Sequence, residues 1–148
     1  MKTLPDAILV GDIHLRDDQP RCRLDDFLST QKRKGQWLRE LWNKFSNPPI
    51  LQPGDVFDRW KASPQTINLA MLYFPPMITI VGNPGKHNYQ TQEGFEKDAL
   101  SVVDSSGRGW EVAKEVLTFK KFNIHPCLWG EEPKKVSAED KAFRRNII

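Results

Sequence analysis

Cysteine is scarce in this 148-residue chain: Cys22 and Cys127 stand far apart, outside any Cys-x-x-Cys pair. That argues against a disulfide scaffold or a structural zinc finger, and it fits a reducing compartment. Long apolar runs are missing as well. No stretch approaches the ~18 residues of a membrane-spanning helix. The N-terminal MKTLPDAILVGD holds only four apolar residues in a row before Gly11 and Asp12, short of a signal-peptide core. A cytoplasmic protein without membrane association is the expectation. Nor does one sign of charge dominate. Lys+Arg number 22 against 19 Asp+Glu, a net +3, which tolerates an anionic partner without demanding one. With 39% hydrophobic and 28% charged residues, neither disorder nor a membrane protein is the natural reading. The length suits one domain spanning residues 1–148.

Two nucleotide-binding signatures are absent too. There is no Gly-x-Gly-x-x-Gly. The segment GNPGKH at residues 82–87 departs from a P-loop, because Gly82 and Gly85 are too close and His87 replaces the hydroxyl residue.

What is present is a repeated design. Residues 7–12 (AILVGD), 50–55 (ILQPGD) and 78–83 (ITIVGN) are short aliphatic runs that each end in Gly followed by Asp or Asn. Such runs suit buried strands of a parallel sheet. Between the first two, Phe27, Leu28, Gln31, Trp37, Leu38, Leu41, Trp42 and Phe45 recur mostly at helical steps, with Gly35 as a possible break and Asn47-Pro48-Pro49 as the stop. Between the second and third, Ser63-Pro64 starts a helix whose inner face would be Leu69, Leu72 and Tyr73. Strand, helix, strand, helix, strand predicts an α/β layered βαβ fold, a mostly parallel sheet flanked by helices. Further on, a helix is expected from about Gln92 to Asp104, a hairpin or two short strands within residues 116–129, and a helix capped at Ser137.

In a parallel sheet, reactive groups gather beyond the carboxyl ends of the strands. Those ends present Asp12 with His14, Asp55 with Asp58, and Asn83. Side chains two apart on an extended segment point the same way, so Asp12 and His14 can face one point. Gly11, Gly54 and Gly82 would allow sharp turns and close backbone approach. Carboxylates, an imidazole and an amide together suit Mn²⁺, Fe or Zn²⁺. A carboxylate with ligands on either side is the layout of a two-metal site. Any one Gly-Asp pair would more often be a simple turn. Three at successive strand ends, one carrying D-x-H, shift the reading to a site.

Asp12-Ile13-His14, Gly54-Asp55-Val56-Phe57-Asp58-Arg59 and Gly82-Asn83 resemble the first three motifs of calcineurin-like metallophosphoesterases, D-x-H, G-D-x-x-D-[RK] and G-N-H-[DE], in order and with one βα unit between them. The surrounding GDIHLRDDQPRCR and GDVFDRWKASP look closest to bacterial and phage members akin to DNA double-strand-break repair nucleases. The resemblance runs from about residue 7 to the end, including WGEE at residues 129–132. It implies that Asp12 and His14 bind a first metal, that Asp55 bridges two, and that Asn83 binds the second. Asp58 and Arg59 would hold the Asp55 turn from behind. The reaction implied is hydrolysis of a phosphodiester, DNA included, by a hydroxide generated at two divalent ions, with Mn²⁺ ahead of Fe or Zn²⁺.

Two departures qualify that implication. The family follows its Asn with a His that helps protonate the leaving group, and then with an acidic residue. Here Pro84-Gly85-Lys86 intervene and His87 arrives four residues after Asn83, with Asn88 beside it. Either the loop is rearranged and His87 is the catalytic histidine, or that pair is lost and His87 is a downstream neighbour. The second is slightly favoured, because geometry sensitive to about 1 Å rarely survives such a displacement. The family also completes its site with three further histidines, whereas this chain holds only His14, His87 and His125. His125 is expected in a strand, as a packed structural residue. The ending RRNII reads as the start of a strand that would deliver the first missing ligand. The expectation is thus a fold that stops partway, with impaired catalysis unless a missing C-terminal segment or a partner chain completes it.

The rival is a nonenzymatic remnant that at most binds nucleic acid or a partner. Arg16, Arg21, Arg23, Lys32, Arg33 and Lys34 could contact a phosphate backbone, but Asp17, Asp18, Asp25 and Asp26 interleave with them. Trp37 and Trp42 read as helix packing rather than as a stacking platform. Arg16 and Trp60 are the residues singled out for substrate contact.

Overall fold

The computed structural model describes residues 4–83, 92–128, 130–133 and 145–147. Four short strands, β1 (Ile8–Leu9), β2 (Ile50–Gln52), β3 (Ile78–Thr79) and β4 (Glu111–Val112), form a parallel sheet in chain order. Ile8 lies opposite Ile50, Leu51 opposite Ile78 and Thr79 opposite Val112. Connections of one hand that always step the same way along a sheet leave their helices on one face. The packing agrees. α1 (Phe27–Lys44), α2 (Pro64–Tyr73) and α4 (Ala99–Asp104) bury Leu38, Leu69, Ala70, Leu100 and Val103 in one core with Ile50 and Val112. A mixed α/β layered architecture is therefore observed.

Local chemistry sets the helix ends. Asp26 caps α1 by accepting from the Ser29 amide at 3.0 Å. Ser63 caps α2 by accepting from Thr66 at 3.2 Å, with Pro64 at the first position. The α1 helix runs unbroken through Gly35, which is buried: a Cβ there would lie 2.7 Å from Cδ2 of Phe74. The glycine lets the end of α2 approach rather than breaking α1.

Three details differ from the sequence expectation. The inner stripe of α1 is Gln31, Gly35 and Leu38, and Trp37 points outward at 62% exposure, so Trp37 is not helix packing. Trp42 does lean on the core, and its indole N–H donates to the Pro48 carbonyl at 2.9 Å. Leu72 is likewise exposed, and Thr66 shares the inner face of α2 instead. The helix expected over residues 92–104 is two, α3 (Gln92–Glu96) and α4, because Asp98 turns to cap the second through the Leu100 amide. The helix expected at Ser137 lies outside the described residues.

On the sheet's other face, β5 (Leu117–Thr118) and β6 (Phe122–Ile124) make an antiparallel hairpin, and β7 (Arg145–Ile147) pairs parallel to β6. Phe122 and Ile124 pack on Leu51 and Ile78 in a second, smaller apolar cluster. Strand alternation explains the division: Ile50 faces the helices and Leu51 the second sheet. Leu9, 71% exposed, lies beyond that cover. No helix among the described residues is long and apolar enough to cross a membrane.

Candidate metal centre

The loops leaving β1 and β2 run side by side as an extension of the sheet. Val10 donates to the Leu51 carbonyl at 2.9 Å, His14 to Asp55 at 2.9 Å, Leu15 to Val56 at 2.8 Å and Asp58 back to Leu15 at 3.0 Å. Beneath them Leu15, Val56 and Phe57 are at most 1% exposed. Full burial of such side chains stabilises by about 1.5–3 kcal/mol each. That matters because His14 (φ 49) and Asp55 (φ 53) both occupy the left-handed region. For non-glycine residues this costs of order 1–3 kcal/mol apiece. The buried trio offsets the strain, and the strain aims the two side chains.

The result is convergence. Nε2 of His14 lies 3.9 Å from Oδ2 of Asp12 and 3.9 Å from Oδ2 of Asp55. One ligand atom from each of the three sits within 4.8 Å of the others. Ligand bonds of ~2.1 Å around one ion would place neighbouring donors ~3 Å apart, a modest contraction from this arrangement. The expected alignment of Asp12 with His14 through an extended backbone is not what brings them together; the left-handed turn at His14 does.

A second observation fits a cation. Nδ1 of His14 is buried and, among the described residues, makes no hydrogen bond, although Oδ1 of Asp58 is only 3.8 Å away. A metal-binding imidazole characteristically donates its other ring N–H to a carboxylate, which fixes its tautomer and orientation. Asp58 stands where that carboxylate should be, and two acidic groups with an imidazole suit Mn²⁺, Fe or Zn²⁺.

The third loop closes over the second. The backbone amide of Asn83 donates to Oδ1 of Asp55 at 3.0 Å. Gly54 (φ 111) and Gly82 face each other, with a Cβ on Gly54 falling 2.8 Å from the Gly82 Cα. Gly11 has no such reason to be glycine: nothing lies within 4 Å of a Cβ there.

Two arginines flank the cluster, each paired with aspartates. Arg16 pairs with Asp18 through a two-pronged contact and reaches Oδ2 of Asp58 at 3.4 Å. The Asp18 contact raises the Arg16 pKa and lowers that of Asp18. Arg59 is 69% exposed, 3.9 Å from Asp58 and 3.8 Å from Asp18. It flanks Asp58 and is largely exposed to solvent. Trp60 is half-buried beneath the Lys61 ammonium at 4.4 Å, and its carbonyl accepts from the Ala99 amide. His87 lies outside the described residues. His125 follows β6 and lines a cavity of about 650 Å³ on the second face, with Leu9, Ile80 and Pro133.

The sequence reading gave two glutamines no part in the site. Gln31 and Gln52 are 6% and 3% exposed, and each forms two hydrogen bonds to the backbone of a ligand-bearing loop. Their one sequence signal is a polar side chain at a core-facing position. No protein-family model matches this chain, and no curated protein does either.

Proposed function

We propose that this chain is a metal-dependent phosphoesterase of the calcineurin-like type, a cytoplasmic, nuclease-like phosphodiesterase whose substrate is a phosphodiester such as DNA. The observation that carries the reading is the convergence of Asp12, His14 and Asp55 at the carboxyl ends of two parallel strands, held there by left-handed backbone. In this reading the layered sheet is the core of a metallophosphoesterase fold. Asp12 and His14 would hold one divalent ion, and Asp55 and Asn83 would supply ligands toward a second. Such ions supply a nucleophilic water and neutralise charge on the phosphoryl group. The chain's own residues do the positioning. Asp58, facing Nδ1 of His14, would accept its N–H and so leave Nε2 as the ligand, while Arg16 keeps Asp58 in place. The exposed guanidinium of Arg59 meets the anionic substrate.

The test is Mn²⁺-dependent hydrolysis of bis-p-nitrophenyl phosphate, expected to be weak but measurable in the native chain and abolished in Asp55→Asn. Hydrolysis that persists in Asp55→Asn, or in EDTA, rejects the assignment. DNA binding with a steep salt dependence but no hydrolysis would instead support a nonenzymatic nucleic-acid-binding remnant.

A further inference from the structure

The structure assigns Gln52 a role that its place in an aliphatic strand conceals: a positioning residue that presets Asp55 for metal binding. This inference rests on the metal reading above. Gln52 ends β2, three residues before Asp55, and is 3% exposed. Its Oε1 accepts from the Gly54 amide at 2.9 Å, and its Nε2 donates to the Gly54 carbonyl. Across the sheet the hydroxyl of Thr79, its register partner and 1% exposed, donates to the same Oε1 at 2.5 Å.

Buried backbone donors and acceptors must be paired. At Gly54 the chain departs from strand geometry (φ 111) and immediately enters the left-handed turn of Asp55 (φ 53). One side-chain amide serves both backbone groups of Gly54, as a neighbouring strand would. The Gly54 N–H, which can only donate, and its carbonyl, which can only accept, fix which end of that amide faces which group, and the Thr79 hydroxyl, also 3.1 Å from the Ile80 carbonyl, adds its contact to the oxygen end. The turn that aims Asp55 is thereby tied to β3, whose own loop brings the Asn83 amide to the Asp55 carboxylate. Gln31 repeats the device on the first loop. It accepts from the Arg16 amide at 3.1 Å and donates to the Arg16 carbonyl at 2.8 Å, two residues beyond His14.

Supporting groups behind a metal ligand change affinity without touching the ion, typically by 10–100-fold. The experiment measures Mn²⁺ binding by the electron paramagnetic resonance signal of the free ion, alongside thermal unfolding in EDTA. Gln52→Met, close in shape but unable to hydrogen-bond, and Thr79→Val should both weaken Mn²⁺ binding by roughly 10-fold or more, and Thr79→Ser should stay within about twofold of native. A purely structural role would lower the unfolding temperature in EDTA and leave the affinity of the folded protein unchanged. Native-like affinity in folded Gln52→Met and Thr79→Val overturns the assignment. Should Gln52→Met not fold, Thr79→Val against Thr79→Ser decides alone. If the native chain itself binds no Mn²⁺, or Asp55→Asn binds it equally well, the metal reading falls and this inference with it. That result differs from the first because it appears before either Gln52 or Thr79 is changed.

Discussion

A Cβ placed on Gly82 would lie 1.9 Å from Oδ1 of Asp55 and 2.4 Å from its amide nitrogen, so the third loop and the second loop's carboxylate share one small space. Gly82→Ala must therefore displace the side chain that the metal reading puts at its centre. The expected outcome is loss of Mn²⁺ binding together with about 1–3 kcal/mol of destabilisation from overpacking. Gly11→Ala is the contrast, since nothing occupies the space and its φ is not positive. It should leave stability unchanged or raise it by up to ~1 kcal/mol. Urea unfolding and Mn²⁺ titration of the two variants check this, and equal behaviour would contradict it.

The His14–Asp58 pair makes a separate prediction. Among the described residues, Nδ1 of His14 is buried without a hydrogen bond, and Asp58 is the carboxylate nearest to supply one. Asp58→Ala should weaken Mn²⁺ binding by roughly 10–100-fold. Asp58→Asn, which keeps an acceptor oxygen, should fall between it and native. Isothermal titration of the three proteins gives the order. An Asp58→Ala affinity equal to native would show that the ring is oriented by something else.

The first three parallel strands were legible because each ends an aliphatic run at a glycine, and their loops carry the polar residues that converge. D-x-H and G-D-x-x-D marked Asp12, His14, Asp55 and Asp58 for the same reason. Residues whose role depends on a distant partner were not legible. Gln31 and Gln52 read as a member of a helix stripe and a break in an apolar run until the loops they hold are folded beside them. β4 is two residues long, too brief for any alternation to register. Trp37 followed the rough helical spacing, but the buried stripe is fixed by where α2 crosses, at Gly35. Asp98 divides a helix because its carboxylate competes for backbone amides.

Gly35 gives a prediction in which propensity and packing oppose each other. Alanine would favour the helix by ~1 kcal/mol, yet its methyl group would meet Phe74 at 2.7 Å and the Tyr73 carbonyl carbon at 3.1 Å. Both α1 and α2 are held at that crossing, because Arg39 donates to the Tyr73 carbonyl at 3.3 Å and to that of Phe74. Steric cost should win, with a net loss of about 1–3 kcal/mol. Phe74→Leu should cost less in the Gly35→Ala background than in the native chain. A double-mutant cycle by urea denaturation measures that coupling, and strict additivity would mean the helices simply move apart.

Acid should loosen the start of α1. Asp26 is held below its ordinary pKa by the Ser29 hydroxyl and amide, and Asp25 by Arg23 and Thr30. A carboxyl whose folded pKa is depressed contributes stability that is complete above its unfolded value, about 3.9. That contribution disappears as pH falls through the folded value. The cap therefore acts fully at neutral pH and fades below about pH 4. Asp26→Asn retains an acceptor suited to an N-cap but has no carboxylate to protonate. Its urea midpoint should be near native at about pH 6 and should drop less than native on going to about pH 3. An unchanged acid limb in Asp26→Asn would show that other carboxylates carry the whole effect.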